Sequence, residues 1–238
     1  MPERRVPGRG PGLLIVGRML MFHAKARRFL LSVCCFSVLG GLPFSAASAA
    51  DAVPAAKLVA QLQGNPADLQ VAQAEGRKSS FFCANCHGES GMSRYPEVPN
   101  LAGQHPDYLL RQIDAFLSGK RKDEFMEGLM KVLSDRDKAA IALFYAASPV
   151  QPVSTPGPRA REGEAYFAKL CARCHREDAR GGDTFPRLAG QQREYIRISL
   201  TRYLTQSGER FYAPMTAAVT QLGKGNIDAV ADYLSGLK

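Results

Sequence analysis

The chain has 238 residues, 45% hydrophobic and 22% charged, which suits one large or two small globular domains. Its formal charge of +9 is gathered at the start, where residues 1–49 hold seven Lys/Arg and one acid. The remaining 24 bases against 21 acids give only +3, so the composition offers no support for a nucleic-acid partner.

The N-terminus reads as a targeting segment. "HAKARR" (23–28) is a positive stretch, "FLLSVCCFSVLGGL" (29–42) an apolar run of 14 residues, and "SAASAADA" (45–52) offers small-residue cleavage sites. The run is short for a membrane span, so residues 1–50 are expected to be a removable signal peptide rather than an anchor. After residue 50 the longest apolar stretch, "AAIALFYAA" (139–147), is too short to cross a bilayer, so membrane contact is expected to be peripheral at most.

The next signals are helical. "ADLQVAQAEGRKSSFFC" (67–83) opens after Asn65-Pro66, and proline suits a first helical turn. "HPDYLLRQIDAFLSG" (105–119) spaces Tyr108, Leu109, Gln112, Ile113, Phe116 and Leu117 as a helix would and stops at glycine. "SDRDKAAIALFYAAS" (134–148) starts with a serine cap and acids in its first turn. "ASPVQPVSTPGPRA" (147–160), with four prolines, is expected to run extended as a linker.

The two sides of the linker are copies of one pattern: residues 76–146 and 163–235 superimpose at an offset near 88. "PNLAGQ" (99–104) matches "PRLAGQ" (186–191), and "GKRKDEFM" (119–126) matches "GERFYAPM" (208–215). "GNIDAVADYLSGL" (225–237) is built like the helix of 134–148. The expected fold is therefore all-α, with two tandem domains over 51–146 and 161–238. Each would hold about three helices around a Gly/Pro-rich loop, and each is small enough to be marginal without a rigid apolar cofactor.

Chemistry is concentrated in "FFCANCHGES" (81–90) and "LCARCHR" (170–176). The four cysteines after residue 50 are Cys83, Cys86, Cys171 and Cys174, two in each motif, and each pair is followed by a histidine, His87 or His175. Two thiols at this spacing can add across the two vinyl groups of a porphyrin, with the next imidazole beneath the iron. Zinc is the weaker reading, since the pairs stand 84 residues apart and each has its own repeat. A thioredoxin-like pair would need a preceding strand and no histidine.

Such an iron takes an opposite ligand, or keeps an open position for gas binding or peroxide chemistry; a methionine thioether is the expected partner. The first repeat offers Met92, Met126 and Met130, and the second offers Met215. Met215 aligns with Met126, 40 and 39 residues after the respective histidines, which leaves Met130 a core role.

These features resemble class I c-type cytochromes, and the doubled arrangement is similar to the diheme cytochrome c4 family over about residues 65–238. The resemblance implies one His/Met haem in each all-α domain, the two facing one another. It gives Pro99 and Pro186 the role of carbonyl acceptors for the ligand histidines, and Arg121 and Arg210 that of partners for haem propionates. Tyr108 and Tyr195 would line the haems or donate to propionates, while His105, matched by Gln192, would be a surface or capping residue. Residues 51–65 extend beyond the pattern and are expected to be partly disordered.

The expected function is a periplasmic carrier of single electrons, not an enzyme, because iron ligated on both sides has no open position for substrate. Its partners would be redox proteins: a terminal oxidase or reductase downstream, a quinol–cytochrome c reductase or dehydrogenase upstream. Alternatives are a cytochrome subunit of a dehydrogenase complex and a diheme peroxidase. Residues 51–149 hold 11 bases and 12 acids, and residues 150–238 hold 13 and 9, so the second repeat is expected to dock the more acidic partner.

Overall fold

The computed structural model describes residues 53–151 and 155–238, so the signal-peptide expectation for residues 1–50 lies outside the described residues. Helix α1 (Ala55–Gln63) comes first, and the first repeat continues with α2 (Pro66–Ser79), α3 (Ala84–His87), α4 (Pro106–Leu117), α5 (Glu124–Lys131) and α6 (Asp135–Ala147). The second repeat has α7 (Ala160–Leu170), α8 (Ala172–His175), α9 (Arg193–Thr205), α10 (Ala213–Leu222) and, after a 3-10 turn at Lys224–Asn226, α11 (Ile227–Ser235). Among the described residues there is no strand, only one isolated antiparallel bridge between Arg121 and Arg210.

Each repeat has its own core, in which its first and last helices cross. The crossing of α2 and α6 is close because Gly76 lies on Ala140: a β-carbon there would overlap the Ala140 carbonyl. Gly163 lies on Ala229 in the same way where α7 crosses α11. Ala72, Ala139 and Ala142 complete the flat contact in the first repeat, and Ala229 and Ala231 do so in the second. Small residues here serve backbone approach rather than buried area.

Local signals set the helix ends. The Asn65 side chain accepts from Ala67 N at 3.0 Å, and Ser134 and Asp137 form a reciprocal capping box on α6. Asp123 caps α5 by accepting from Met126 N at 3.0 Å.

Two expectations need correction. Residues 55–63 are ordered as α1, because Val59 (2% exposed) and Leu62, three apart on one face, pack against α4 and α6. The loops expected in mid-repeat contain the short helices α5 and α10, which with the single turns α3 and α8 bring five helices to the shared pattern of each repeat instead of three. Gly128 and Pro214 masked them in the sequence, yet Pro214 sits in the first turn of α10, where it is tolerated.

Around the linker, Asp232 of α11 has no exposed surface. It accepts from Arg159 N at 3.0 Å and pairs with Arg193, while its own carbonyl accepts from Gly157 N at 3.4 Å.

The seam between the repeats obeys a pseudo-two-fold. Lys122 N donates to Glu209 O at 2.8 Å, and Phe211 N donates to Lys120 O at 3.2 Å, each bond the image of the other at an offset of 89. The two PxLAGQ segments face each other there and exchange glutamine bonds.

Candidate haem centres

Each motif forms a single helical turn at the end of a longer helix. Cys83 stands just before α3 as its N-cap, and His87 N donates to Cys83 O at 2.9 Å; in the second repeat His175 N donates to Cys171 O at 3.0 Å. All four cysteines are free, with Cys86 and Cys174 exposed. Burial pushes the Cys83 thiol up and carries Cys171 up to about 11, with Cys174 adding to the rise, so both half-buried thiols are protonated at neutral pH.

The histidines turn inward, with exposures of 8% for His87 and 5% for His175. Their Nδ1 atoms lie 2.9 Å from Pro99 O and 3.1 Å from Pro186 O. A carbonyl only accepts, so Nδ1 carries the proton and Nε2 keeps its lone pair. Burial lowers both imidazole pKa values, so the neutral, ligating form is favoured.

The turns leave the motifs by the same route on different residues. Gly88 has φ +77° and ψ 156°, while its counterpart Arg176 adopts φ +64° and ψ 161° with a side chain in place.

Cys83 and Met126 both pack against the first core, and Phe82 stacks on Phe125 at 6.0 Å, so the residues before Cys83 and Met126 meet. Cys171 and Met215 likewise share the second core. Met130 is buried in the first core.

The arginines converge at the seam. Arg121 donates to Tyr195 OH at 3.1 Å and to Gln112 Oε1 at 2.9 Å. Arg210 donates to Tyr203 OH at 2.8 Å, Tyr195 OH at 2.8 Å and Tyr108 OH at 2.9 Å. Neither guanidinium is within salt-bridge distance of a carboxylate among the described residues. Burial would raise the Tyr195 phenol, but Arg121 and Arg210 outweigh it and bring it down to about 7. Arg210 also donates to Ser199 Oγ at 3.1 Å, and two half-buried cations with these neutral partners form a site short of negative charge.

Sequence reasoning missed the glutamines of this seam. Gln191 joins Asn100, and Gln104 joins Arg187, each through two bonds to the backbone of the other repeat. The repeated "LAGQ" was the available signal. His105, read as surface or capping, stands before α4 and reaches Arg180 O at 2.8 Å with Nε2, a contact between repeats.

The Cytochrome c family model matches residues 73–144 and again 160–238. Cytochrome c4 of Pseudomonas aeruginosa is 32% identical over 176 residues, 69% of this chain and 88% of that one. The chain belongs to the cytochrome c4 family. The crystal structure of reduced recombinant cytochrome c4 from Pseudomonas stutzeri is similar with a TM-score of 0.63 and 30% identity, over 68% of this chain and 97% of that one. Also similar is the thiosulfate dehydrogenase electron acceptor of Stutzerimonas stutzeri, 29% identical over 201 residues, 76% of this chain and 92% of that one. As a cytochrome c4 family member, the chain is a diheme electron-transfer protein with two covalently bound c-type haems, and not an enzyme.

The donor set fits those haems. It supplies free thiol pairs, neutral imidazoles with Nδ1 engaged, thioethers on the same cores, and guanidiniums lacking a carboxylate. Among the described residues no three His, Cys, Asp or Glu side chains converge as a zinc site requires.

Proposed function

We propose that the protein is exported, loses residues 1–50, and carries single electrons between respiratory-chain components in the periplasm, toward a terminal oxidase or reductase. In this reading residues 51–146 and 161–238 are the two haem domains and 147–160 the linker. Cys83 and Cys86 would hold one porphyrin, with His87 and Met126 on its iron. Cys171 and Cys174 would hold the other, with His175 and Met215. Among the described residues no helix is long and apolar enough to cross a membrane.

One observation carries this reading: Arg121 and Arg210 meet at the seam, both hydrogen-bonded to the Tyr195 phenol and without a carboxylate. Carboxylate propionates from both sides are the anions such a site would take. The haem irons supply one-electron redox chemistry. The chain's part is to hold the imidazole tautomer through Pro99 and Pro186, to fill the sixth position with sulfur, and to neutralise the seam. Sulfur-filled sites leave no place for substrate and little to rearrange between oxidation states.

A redox titration with haem quantitation tests the proposal. Two haems, two one-electron waves and methionine-to-ferric-iron absorption from each are expected. Replacing Met126 should remove one such band and replacing Met215 the other. A colourless exported protein, or bands that survive both changes, rejects it.

Likeness to a thiosulfate dehydrogenase electron acceptor favours a second reading, a standing acceptor for one dehydrogenase. Co-purification with a dehydrogenase from the native source separates it from a free carrier. In either role the second repeat, with 13 bases and 9 acids over 150–238, would meet the more acidic partner, at a rate that falls as salt rises.

A further inference from the structure

Pro99 C=O and Asn100 N–H belong to one peptide group, and that group has a partner at each end. Its oxygen lies 2.9 Å from His87 Nδ1, and its N–H donates to Gln191 Oε1, in the other repeat, at 2.7 Å. The opposite centre is built the same way. Pro186 O lies 3.1 Å from His175 Nδ1, and Arg187 N donates to Gln104 Oε1 at 2.9 Å. Each amide closes the contact by returning Nε2 to the next carbonyl, Gln191 to Asn100 O and Gln104 to Arg187 O, both at 3.0 Å.

The amides are fixed in orientation. Gln191 Oε1 also accepts from Gln192 N at 2.9 Å, and Gln104 Oε1 from His105 N at 3.1 Å. An atom receiving two backbone N–H groups is the oxygen, which settles each flip. Both side chains are buried, with Gln104 6% and Gln191 7% exposed, so water does not compete for these bonds.

We infer that Gln104 and Gln191 are crossed positioning residues: each tunes the haem of the other repeat through one peptide group and its axial histidine. This rests on the reading of His87 and His175 as iron ligands. A peptide whose N–H is engaged has a more polarised carbonyl and is a better acceptor. A better acceptor draws the Nδ1 proton, increases donation from Nε2, and favours ferric iron. Gln191 therefore holds the first haem toward ferric, and Gln104 the second. Docking of the two repeats and the electron affinity of each centre are set by the same bonds.

Gln191→Met and Gln104→Met keep side-chain length and remove the acceptor. Each haem of the intact holoprotein is followed through its own NMR resonances, assigned by contacts to Met126 or Met215, during redox titration. With Gln191→Met the first haem's ferrous-to-ferric ratio at fixed ambient potential should rise about threefold, and the second should stay at the wild-type value. Gln104→Met should give the mirror result. Equal movement of both haems, an uncrossed pattern or no movement overturns the inference, since a merely structural seam would loosen both centres. Should a Met variant not fold, Gln191→Glu retains the acceptor oxygen. It should leave the first haem at the wild-type ratio or move it toward ferric, and a shift toward ferrous overturns the idea. Ligation is checked beforehand in the wild type: without two nitrogen- and sulfur-ligated spectra, the underlying reading fails first.

Discussion

Arg121 of the first repeat donates to Tyr195 of the second at 3.1 Å, and its counterpart Arg210 donates back to Tyr108 at 2.9 Å. The four residues form two images of one contact, placed where the backbone bridge joins Arg121 to Arg210. Arg210 also donates to Tyr195 of its own repeat at 2.8 Å, so the exchanged pair is added to an internal one. The seam is held by polar bonds of both repeats, while the apolar cores stay separate.

Removing one of these cations should favour ferric iron at both centres, because the propionates would lose a shared counter-charge. A unit charge acting over roughly 12 Å at an effective dielectric near 20 is worth about 1.4 kcal/mol, so a shift of about 60 mV downward is expected. Arg210→Gln, titrated beside the wild type, checks this. Two unchanged potentials would place the propionates elsewhere.

Arg176 should be replaceable with profit. Its φ of +64° with ψ 161° lies in a region that side chains avoid and that Gly88 occupies freely in the first repeat. Arg176→Gly should stabilise the second repeat by about 1–3 kcal/mol, read from denaturant unfolding of the holoprotein. The gain is reduced by whatever the guanidinium contributes against Gly182. A loss of stability would mean that this contact outweighs the backbone strain.

Much of this architecture was legible because duplication supplied a second copy to compare. The spacing of Cys83, His87 and Met126 could be checked against Cys171, His175 and Met215 without any relative. Helices α4 and α6 were legible from apolar spacing and the Ser134 cap, which are local signals. Helix α1 was not, since only its packing on α2, α4 and α6 distinguishes it from a tail. The roles of Gln104 and Gln191 were hidden for a different reason: their partners lie 83 and 91 residues away. A polar residue that bonds backbone leaves no trace in the partner's side chain.

The close helix crossings make a sharp test of packing. A methyl group at Gly163 would overlap the Ala229 carbonyl, a backbone atom that moves only with its helix. Gly163→Ala should cost about 1–3 kcal/mol even though alanine is the better helix former. Thermal melts should show the second repeat loosening first, and Gly76→Ala should do the same to the first. A neutral outcome would mean that α7 and α11 slide apart without penalty.

Asp232 makes the strongest case for a role in the linker. Its carboxylate is sealed, with one oxygen taking Arg159 N at 3.0 Å and the other facing Arg193, whose side chain is 46% exposed. The equivalent position in the first repeat is Phe144, so this acid belongs to the end of the linker and not to the shared fold. Replacing it with alanine leaves the Arg159 N–H unpaired and Arg193 without its anion. Because Arg193 can reach water, the loss should be about 2–3 kcal/mol, toward the low end for a broken buried pair. Asp232→Asn, which keeps the shape and one acceptor, should lose less. The chain around Gly157–Arg159 should become open to proteolysis in the alanine variant while both haem spectra persist. Resistance equal to the wild type would show that the linker is held by other contacts.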